Sequence, residues 1–323
     1  MLSIFPTFAI VCFVYVRIKF VDIILGLVVL MKIIDSKNLS NEKRFKIKNE
    51  ISKIVSNAGC RPGLATILVG DDYASKIYIK LKIKACNEVG IKSFNYNISS
   101  IDIYKFDLIK LIKNLNLDPN IHGILLQLPL PKKIETEYYV SNINPLKDVD
   151  CVHPFNIGAM YMLKKWDEII KKNIIIPCTP LGIINLLHNN NVEISGKIVV
   201  IIGRSILVGK PIASLLLAND ATVIMAHSKT YNLEKICKRA DIIIVSVGRA
   251  KFLNKNFIKN KTVVIDVGMN NINDKVCGDV DIDSIKNMNV KVTSVPGGIG
   301  PMTITSLLEN TLKMFKNQIF FKK

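Results

Sequence analysis

The sequence predicts an α/β protein in two parts, an N-terminal α/β domain followed by a doubly wound sheet domain. Three observations carry this. Short apolar runs alternate with helical patterns along most of the chain after residue 30, and the alternation is most regular between residues 196 and 267. The third is size: 323 residues are enough for two separate cores.

The first thirty residues, MLSIFPTFAIVCFVYVRIKFVDIILGLVVL, stand apart. Their apolar runs, Leu2 to Val16 and Ile23 to Leu30, are interrupted by Arg17, Lys19 and Asp22. Each run is shorter than the about 20 residues of a spanning helix. A signal or organelle-targeting leader fits better than a structural element, and translation from Met31 is the alternative. The expected location is a mitochondrion or plastid if the leader is used, and the cytoplasm if synthesis starts at Met31. Membrane contact is expected only if the leader is retained.

From Met31 the fold begins. KIIDSKNLSNEKRFKIKNEISKIVSNAG has helical Ile and Val spacing and ends at Gly59, which predicts an amphipathic helix with a glycine cap. LATILVG, Leu64 to Gly70, reads as a buried strand between glycines. DDYAS opens a second helix with Asp72 or its neighbour as N-cap. SFNYNI is a strand candidate, Asp107 to Leu115 a helix, and GILLQLPLP, Gly123 to Pro131, a buried strand entering a proline-bounded loop. Pro, Gly and Asp concentrate between Asn144 and Gly158, which sets the domain boundary there. The expected division is a leader over 1–30, a first domain over 31–150 and a second over 151–300.

The second half continues with GKIVVIIGRS as strand and turn, GKPIASLLLAND as helix, ATVIMAH as strand and NLEKICKRA as helix. DIIIVSVG and KTVVIDVG are further strands, and VPGGIGPMTITSLLENTLKMF is a glycine-rich loop leading into a helix. Successive βαβ units of this kind make a Rossmann-like sheet.

Composition narrows the function classes. The net charge is +18, but the lysines are scattered beside Asn and Ile, with no Arg-rich block or aromatic-interleaved basic strip. That argues against a nucleic-acid groove, while a basic surface still attracts a polyanionic small substrate. Cys12, Cys60, Cys86, Cys151, Cys178, Cys237 and Cys277 are widely spaced with no CxxC pair, and read as reduced structural thiols. Four dispersed histidines supply no metal-ligand spacing, so no metal site is expected.

One stretch, SKIYIKLKIK from Ser75 to Lys84, holds four lysines that are not equivalent. At 100° per residue, Lys76, Lys80 and Lys84 share one stripe. Lys82 falls on the opposite side with Ser75, Tyr78, Cys86 and Val89. An inward lysine is the sharper reading; a lysine snorkelling past the core to water is the more common one. Periodicity does not separate them.

The loop after the first strand of the second half is GRSILVGKP, Gly203 to Pro211, with spacing G-x5-G. Glycines alone often just punctuate strand–helix turns. Here the loop follows an apolar strand and opens a helix whose N–H groups can face a phosphate. The candidate cofactor residues are Gly203, Arg204, Ser205 and Gly209, with His227 and Ser228 at the end of the next strand. That strand end, MAHSKT, carries no carboxylate to hold a ribose 2′-hydroxyl. Arg204, Ser205 and Ser228 instead favour a 2′-phosphate, and NADP over NAD.

The motifs VGDDYASKIYIKLKIKACNEVGI, GILLQLPLP, PLKDVD, PCTPLG, GRSILVGKP, HSKT and VPGGIGPMT follow one another from about Met31 to the C-terminal helix. In this the chain resembles the bifunctional methylenetetrahydrofolate dehydrogenase/cyclohydrolase enzymes of one-carbon metabolism. The resemblance implies a catalytic domain, rejoined by a C-terminal helix over about 301–323, packed against an NADP-binding domain with the active site in the cleft. It implies a homodimer built mainly through the NADP domains and substrates that are one-carbon tetrahydrofolates, polyglutamylated forms included, on a route serving purine biosynthesis. Tyr78 and Lys82 match the catalytic tyrosine and lysine, and Ser75 lines their face. Gln127 matches the glutamine that contacts the lysine, and Asp150 the carboxylate that holds the pterin ring. Pro296, Gly297, Gly298 and the loop to Thr303 match the segment between folate and nicotinamide, with Thr303 counted among the cofactor residues.

Three departures stand out. Cys151 replaces the glycine expected after KDVD, removing an easy φ > 0 option; Ile206 replaces a polar residue of the cofactor loop; and the stretch from Met160 to Asn173 is longer than usual. Three readings follow. They are the bifunctional enzyme, a dehydrogenase with an impaired cyclohydrolase step, and a basic, membrane-tethered binding protein. Retention of Ser75, Tyr78, Lys82, Gln127 and Asp150 together disfavours the last.

Overall fold

The computed structural model describes residues 31–99, 107–131, 134–272 and 275–320, so the leader expected over 1–30 lies outside the described residues. In chain order come β1 (Lys32–Ile34), α1 (Lys37–Ala58), β2 (Gly63–Val69), α2 (Tyr73–Val89), β3 (Lys92–Ile98), α3 (Leu108–Leu117), β4 (Gly123–Leu126) and α4 (Thr136–Val140). Three helices, α5 (Pro154–Tyr161), α6 (Trp166–Lys171) and α7 (Cys178–Asn189), lead into the second sheet. There follow β5 (Ile198–Ile202), α8 (Gly209–Ala218), β6 (Thr222–Ala226), α9 (Leu233–Cys237), β7 (Ile242–Val245) and β8 (Val263–Asp266). The hairpin β9 (Asn270–Ile272) and β10 (Lys275–Cys277), then α10 (Ile282–Ile285), β11 (Lys291–Thr293) and α11 (Ile299–Phe320) complete the fold.

The local signals act as expected. Gly59 closes α1 at φ 67, returning its N–H to Val55 O. The Asp72 carboxylate accepts the Ser75 N–H at 2.7 Å and caps α2. Every residue of β2 is buried, and β3 and β4 flank it in parallel.

The larger sheet runs β1-β11-β8-β7-β5-β6, parallel throughout. Its first strand is a surprise: the stretch read as helix from Met31 opens with β1, which lies on the edge of the second domain's sheet. Ile34 is buried in that domain's core, and Lys32 donates its N–H to Val290 O at 2.8 Å. Three residues are too few to display a period. The boundary expected at 150 is also less sharp than a single point. Cys151, Ile175 and Cys178 pack into the first core, whereas Met160, Ile169 and Ile176 pack into the second.

The long helix α11 belongs to both. It starts in the large-sheet core with Ile299 and Met302, then enters the first core through Ile304, Leu307, Leu308 and Phe315. The long stretch after Met160 is partly ordered as α6, with Ile169 buried and Trp166 edge-on to His188 at 5.8 Å. Among the described residues, no helix is long and apolar enough to cross a membrane.

Both sheets change direction at a central strand. In the small sheet, β3 and β4 lie on either side of β2; in the large one, β6 and β7 lie on either side of β5. Such switch points leave a crevice beyond the carboxyl ends of the strands, where ligands bind. Both sets of candidate residues sit at these ends.

Candidate active site

At the small-sheet crevice, α2 presents one face inward. Ser75 and Lys82 are buried, Lys82 at 6 % exposure, while Lys76, Lys80 and Lys84 are exposed. The inward reading of Lys82 therefore holds. Its ammonium donates to Gln127 Oε1 at 2.8 Å and lies 5.2 Å from the centre of the Tyr78 ring. Gln127 follows β4 directly; its backbone N–H bonds Ile67 O and its Nε2 bonds Leu128 O at 2.8 Å, which aims Oε1 at the lysine. Tyr78 donates to Gly300 O at 3.3 Å, and the Thr303 side chain acts on it from the same side.

Asp150 is the carboxylate whose charge acts on this cluster. Desolvation lowers the Lys82 pKa, and Asp150 opposes that fall. Desolvation likewise raises the Asp150 pKa, with Lys82 opposing. Each group holds the other's charge in a site that disfavours both. Burial also pushes Tyr78 up to about 12, so it stays a phenol and a donor. Asp150 and Tyr78 are half-buried.

Sequence reasoning missed three residues here. Cys178 Sγ donates to Val149 O at 3.4 Å, next to Asp150; Thr303 Oγ1 donates to Thr179 Oγ1 at 3.1 Å; and buried Asn310 donates to Val149 O and Ile176 O, both at 2.8 Å. Asn310 thus fastens α11 to the backbone just ahead of Asp150 and of Cys178. Its signal was available: a polar residue three positions after buried Leu307 on an apolar helical face.

Cys151 does adopt the glycine conformation, at φ 54. Its side chain is 2 % exposed, with Sγ donating to Ile175 O at 3.4 Å. Behind it, buried Asp148 accepts from Val152 N, His153 N and Asn156 Nδ2 and holds the turn.

At the large-sheet crevice the cofactor loop is closely built. Gly203 sits at φ 126, and a Cβ there would overlap Ser246 O; one at Gly209 would overlap Gly203 O. Only glycine permits this approach of the loops after β5 and β7. Ser205 Oγ accepts from Val208 N at 3.1 Å and Gly209 N at 3.4 Å, turning the chain into α8. Arg204, Ser205, Ile206 and Ser228 are exposed at the rim. His227 Nδ1 accepts from Lys229 N at 3.2 Å, which leaves its proton on Nε2. The glycine cradle, the open N-terminus of α8, an exposed guanidinium and a strand end without a carboxylate fit a phosphorylated dinucleotide. Pro296, Gly297 at φ 104 and Gly298 form the loop after β11, fixed by Ser36 Oγ donating to Gly297 O at 2.7 Å. Thr303 sits beside Tyr78, on the lysine's side of the cleft, and no described contact joins it to the Gly203 loop. Among the described residues no cluster suits a metal ion.

Comparison with known proteins gives the geometry its context. A family model described as tetrahydrofolate dehydrogenase/cyclohydrolase, catalytic domain, matches residues 34–150, and its NAD(P)-binding domain counterpart matches 177–319. The bifunctional protein FolD of Halalkalibacterium halodurans is 46% identical over 284 residues, covering 88% of this chain and 98% of its own. The crystal structure of the bifunctional FolD dehydrogenase/cyclohydrolase from Campylobacter jejuni superimposes with a TM-score of 0.82 at 41% identity, covering 90% of this chain and all of that one. The Trypanosoma brucei enzyme, solved with NADP cofactor and inhibitor, gives 0.83 at 33% identity over 90% of this chain and 99% of its own.

Proposed function

The chain belongs to the tetrahydrofolate dehydrogenase/cyclohydrolase family, and from that premise we propose how its own residues do the family's work. The protein oxidises 5,10-methylenetetrahydrofolate to the 5,10-methenyl form with NADP, then hydrolyses that product to 10-formyltetrahydrofolate. Lys82 is its general base, Tyr78 and Gln127 orient it, and Asp150 holds the pterin. The carrying observation is the buried Lys82 ammonium, 2.8 Å from Gln127 Oε1 and opposed by one carboxylate.

The chemistry follows from that environment. A lysine must be neutral to take a proton, and desolvation already moves Lys82 in that direction. The methenyl substrate is a cation, so its arrival favours the neutral amine further. Neutral Lys82 can donate one N–H to Gln127 and keep its lone pair for the attacking water. Tyr78, locked as a phenol that donates to Gly300 O, offers its oxygen lone pairs to the substrate and the water. Bound NADP supplies the hydride acceptor. Folate nitrogens stabilise the charge left on the one-carbon bridge, so for that step the protein's task is orientation. Ser75, the Pro296–Gly298 loop and Thr303 line the path between the two crevices.

The same reading extends to assembly and substrate form. β6 ends the large sheet, and Tyr161, Leu217 and Met225 are exposed beside it around a hollow of about 430 Å³. This face is the homodimer contact, to be checked by light scattering on Leu217→Glu, which should be monomeric. The +18 charge supports polyglutamylated folates over the monoglutamate. One spectrophotometric assay tests the main proposal. With methylenetetrahydrofolate and NADP, methenyl absorbance should rise and then decay; a rise without decay would mean an impaired cyclohydrolase, and no rise an inactive scaffold.

A further inference from the structure

The large-sheet crevice is bounded by the loops after β5 and β7, and the second loop has a support that lies outside the crevice. Asp279, fully buried on the loop after β10, accepts from Val247 N at 2.6 Å, Gly248 N at 3.1 Å and Arg249 N at 2.8 Å. A fourth donor, Asn270 Nδ2, reaches it at 2.9 Å. Three consecutive amides thus converge on one carboxylate, directly after Ser246, whose carbonyl packs on Gly203. Charge-assisted bonds of this kind are about twice as strong as neutral ones.

A second carboxylate holds the first. Asp266, at the end of β8, accepts from Gly268 N at 3.0 Å, Asp279 N at 2.9 Å and Val280 N at 2.9 Å. The two loops interlock through glycines. A Cβ at Gly268 would overlap the Asp279 carboxyl, and one at Gly278 would overlap that of Asp266. Thr293 Oγ1 accepts the Asp266 N–H at 2.8 Å, tying in the strand that leads to the Pro296–Gly298 loop. The carboxylate pair therefore joins three segments on the cofactor side of the cleft: 247–249, 266–270 and 293–298.

We propose that Asp279 is a positioning residue for the dinucleotide, holding the Val247–Arg249 backbone in the shape that receives it. Asp279 itself touches neither reactant. This rests on the reading of the large-sheet crevice as the NADP site, and it predicts a division between the two activities. Hydrolysis of the methenyl substrate needs no dinucleotide and uses residues of the other crevice.

The test compares Asp279→Asn, which keeps shape but loses charge and turns N–H groups toward N–H groups, with Asn270→Ala, which removes one donor from a half-buried position. NADP dissociation constants are measured by fluorescence titration with NADPH, beside dehydrogenase and cyclohydrolase rates. For Asp279→Asn the dissociation constant should rise about tenfold or more, with the cyclohydrolase rate within about twofold of the unmodified chain. Asn270→Ala should give the same split at about two- to fivefold. If Asp279→Asn fails to fold, Asn270→Ala decides alone. Parallel loss of both activities would make Asp279 a general structural prop, and unchanged NADPH binding would remove the proposal outright. Failure of the unmodified chain to bind NADPH would instead overturn the cofactor reading.

Discussion

Replacing Lys82 by glutamine separates its chemistry from its charge. The side chain is 6 % exposed, sits 2.8 Å from Gln127 Oε1, and has its pKa lowered by burial. A positioned base contributes about 10²–10⁴ in rate. Lys82→Gln should therefore lower the cyclohydrolase rate by at least about a hundredfold, with folate and NADPH still binding. The dehydrogenase step should lose less, since hydride transfer depends on placement. Lys76 and Lys80 are exposed, and Lys76 already pairs with Asp71 at 2.9 Å. Screened surface charges are worth about 0–1 kcal/mol, so Lys76→Gln and Lys80→Gln should stay within about fivefold. The pH dependence has a definite sign. The active form is the neutral amine, so the cyclohydrolase rate should rise with pH and level off at a midpoint below the ordinary lysine value of 10.5. In Lys82→Gln that rise should vanish. Folding responds in the same direction: a lysine whose pKa is depressed on folding makes stability increase as pH climbs from its folded value towards 10.5. The assay is decay of methenyl absorbance from pH 6 to 10. Equal losses from all three substitutions, or a full rate in Lys82→Gln, would refute the argument from the helix face.

Other perturbations probe the remaining readings. Arg204→Ala should reduce the preference for NADP over NAD by about tenfold, read from the ratio of kcat/KM values; an unchanged ratio would dissociate Arg204 from the 2′-phosphate. A chain beginning at Met31 should be soluble and fully active, and imaging a fusion of the first thirty residues would test organelle delivery; aggregation of the Met31 form would make the apolar segment part of the fold. Cys151→Gly relieves about 1–2 kcal/mol of left-handed strain but gives up a buried thiol and frees the unfolded chain. Its thermal midpoint should shift by less than about 4 °C, and a large fall would mean that packing of the thiol dominates.

How much of this was legible depends on how local each cause is. Lys82 and Tyr78 could be placed on one helical face because the period of a helix is fixed by geometry. Asp72 and Gly59 were legible as caps for the same reason. Gln127 and Asp150 were not: a polar residue after a strand and an acid at a boundary have solvated explanations, and only the motif resemblance singled them out. β1 and β11 were hidden because three residues carry no period, and their pairing spans nearly the whole chain. Cys178 read only as a structural thiol, and Asn310 left no more than a polar break in an apolar helical face, since the carbonyls they bond are distant in sequence. Asp279 was silent for a similar reason. Its partners are amides, which every residue has.

The double membership of α11 bears on how the protein is made. The ribosome delivers β2, α2 and β4 long before Ile304, Leu307, Leu308 and Phe315, which complete their core. Likewise β1, delivered before β2, must wait for β11 to offer an edge. The nascent catalytic half therefore stays unroofed until α11 emerges, and only then is its apolar face covered. Cutting the gene at the apparent domain boundary would yield two incomplete pieces. Each half holds something the other needs to close.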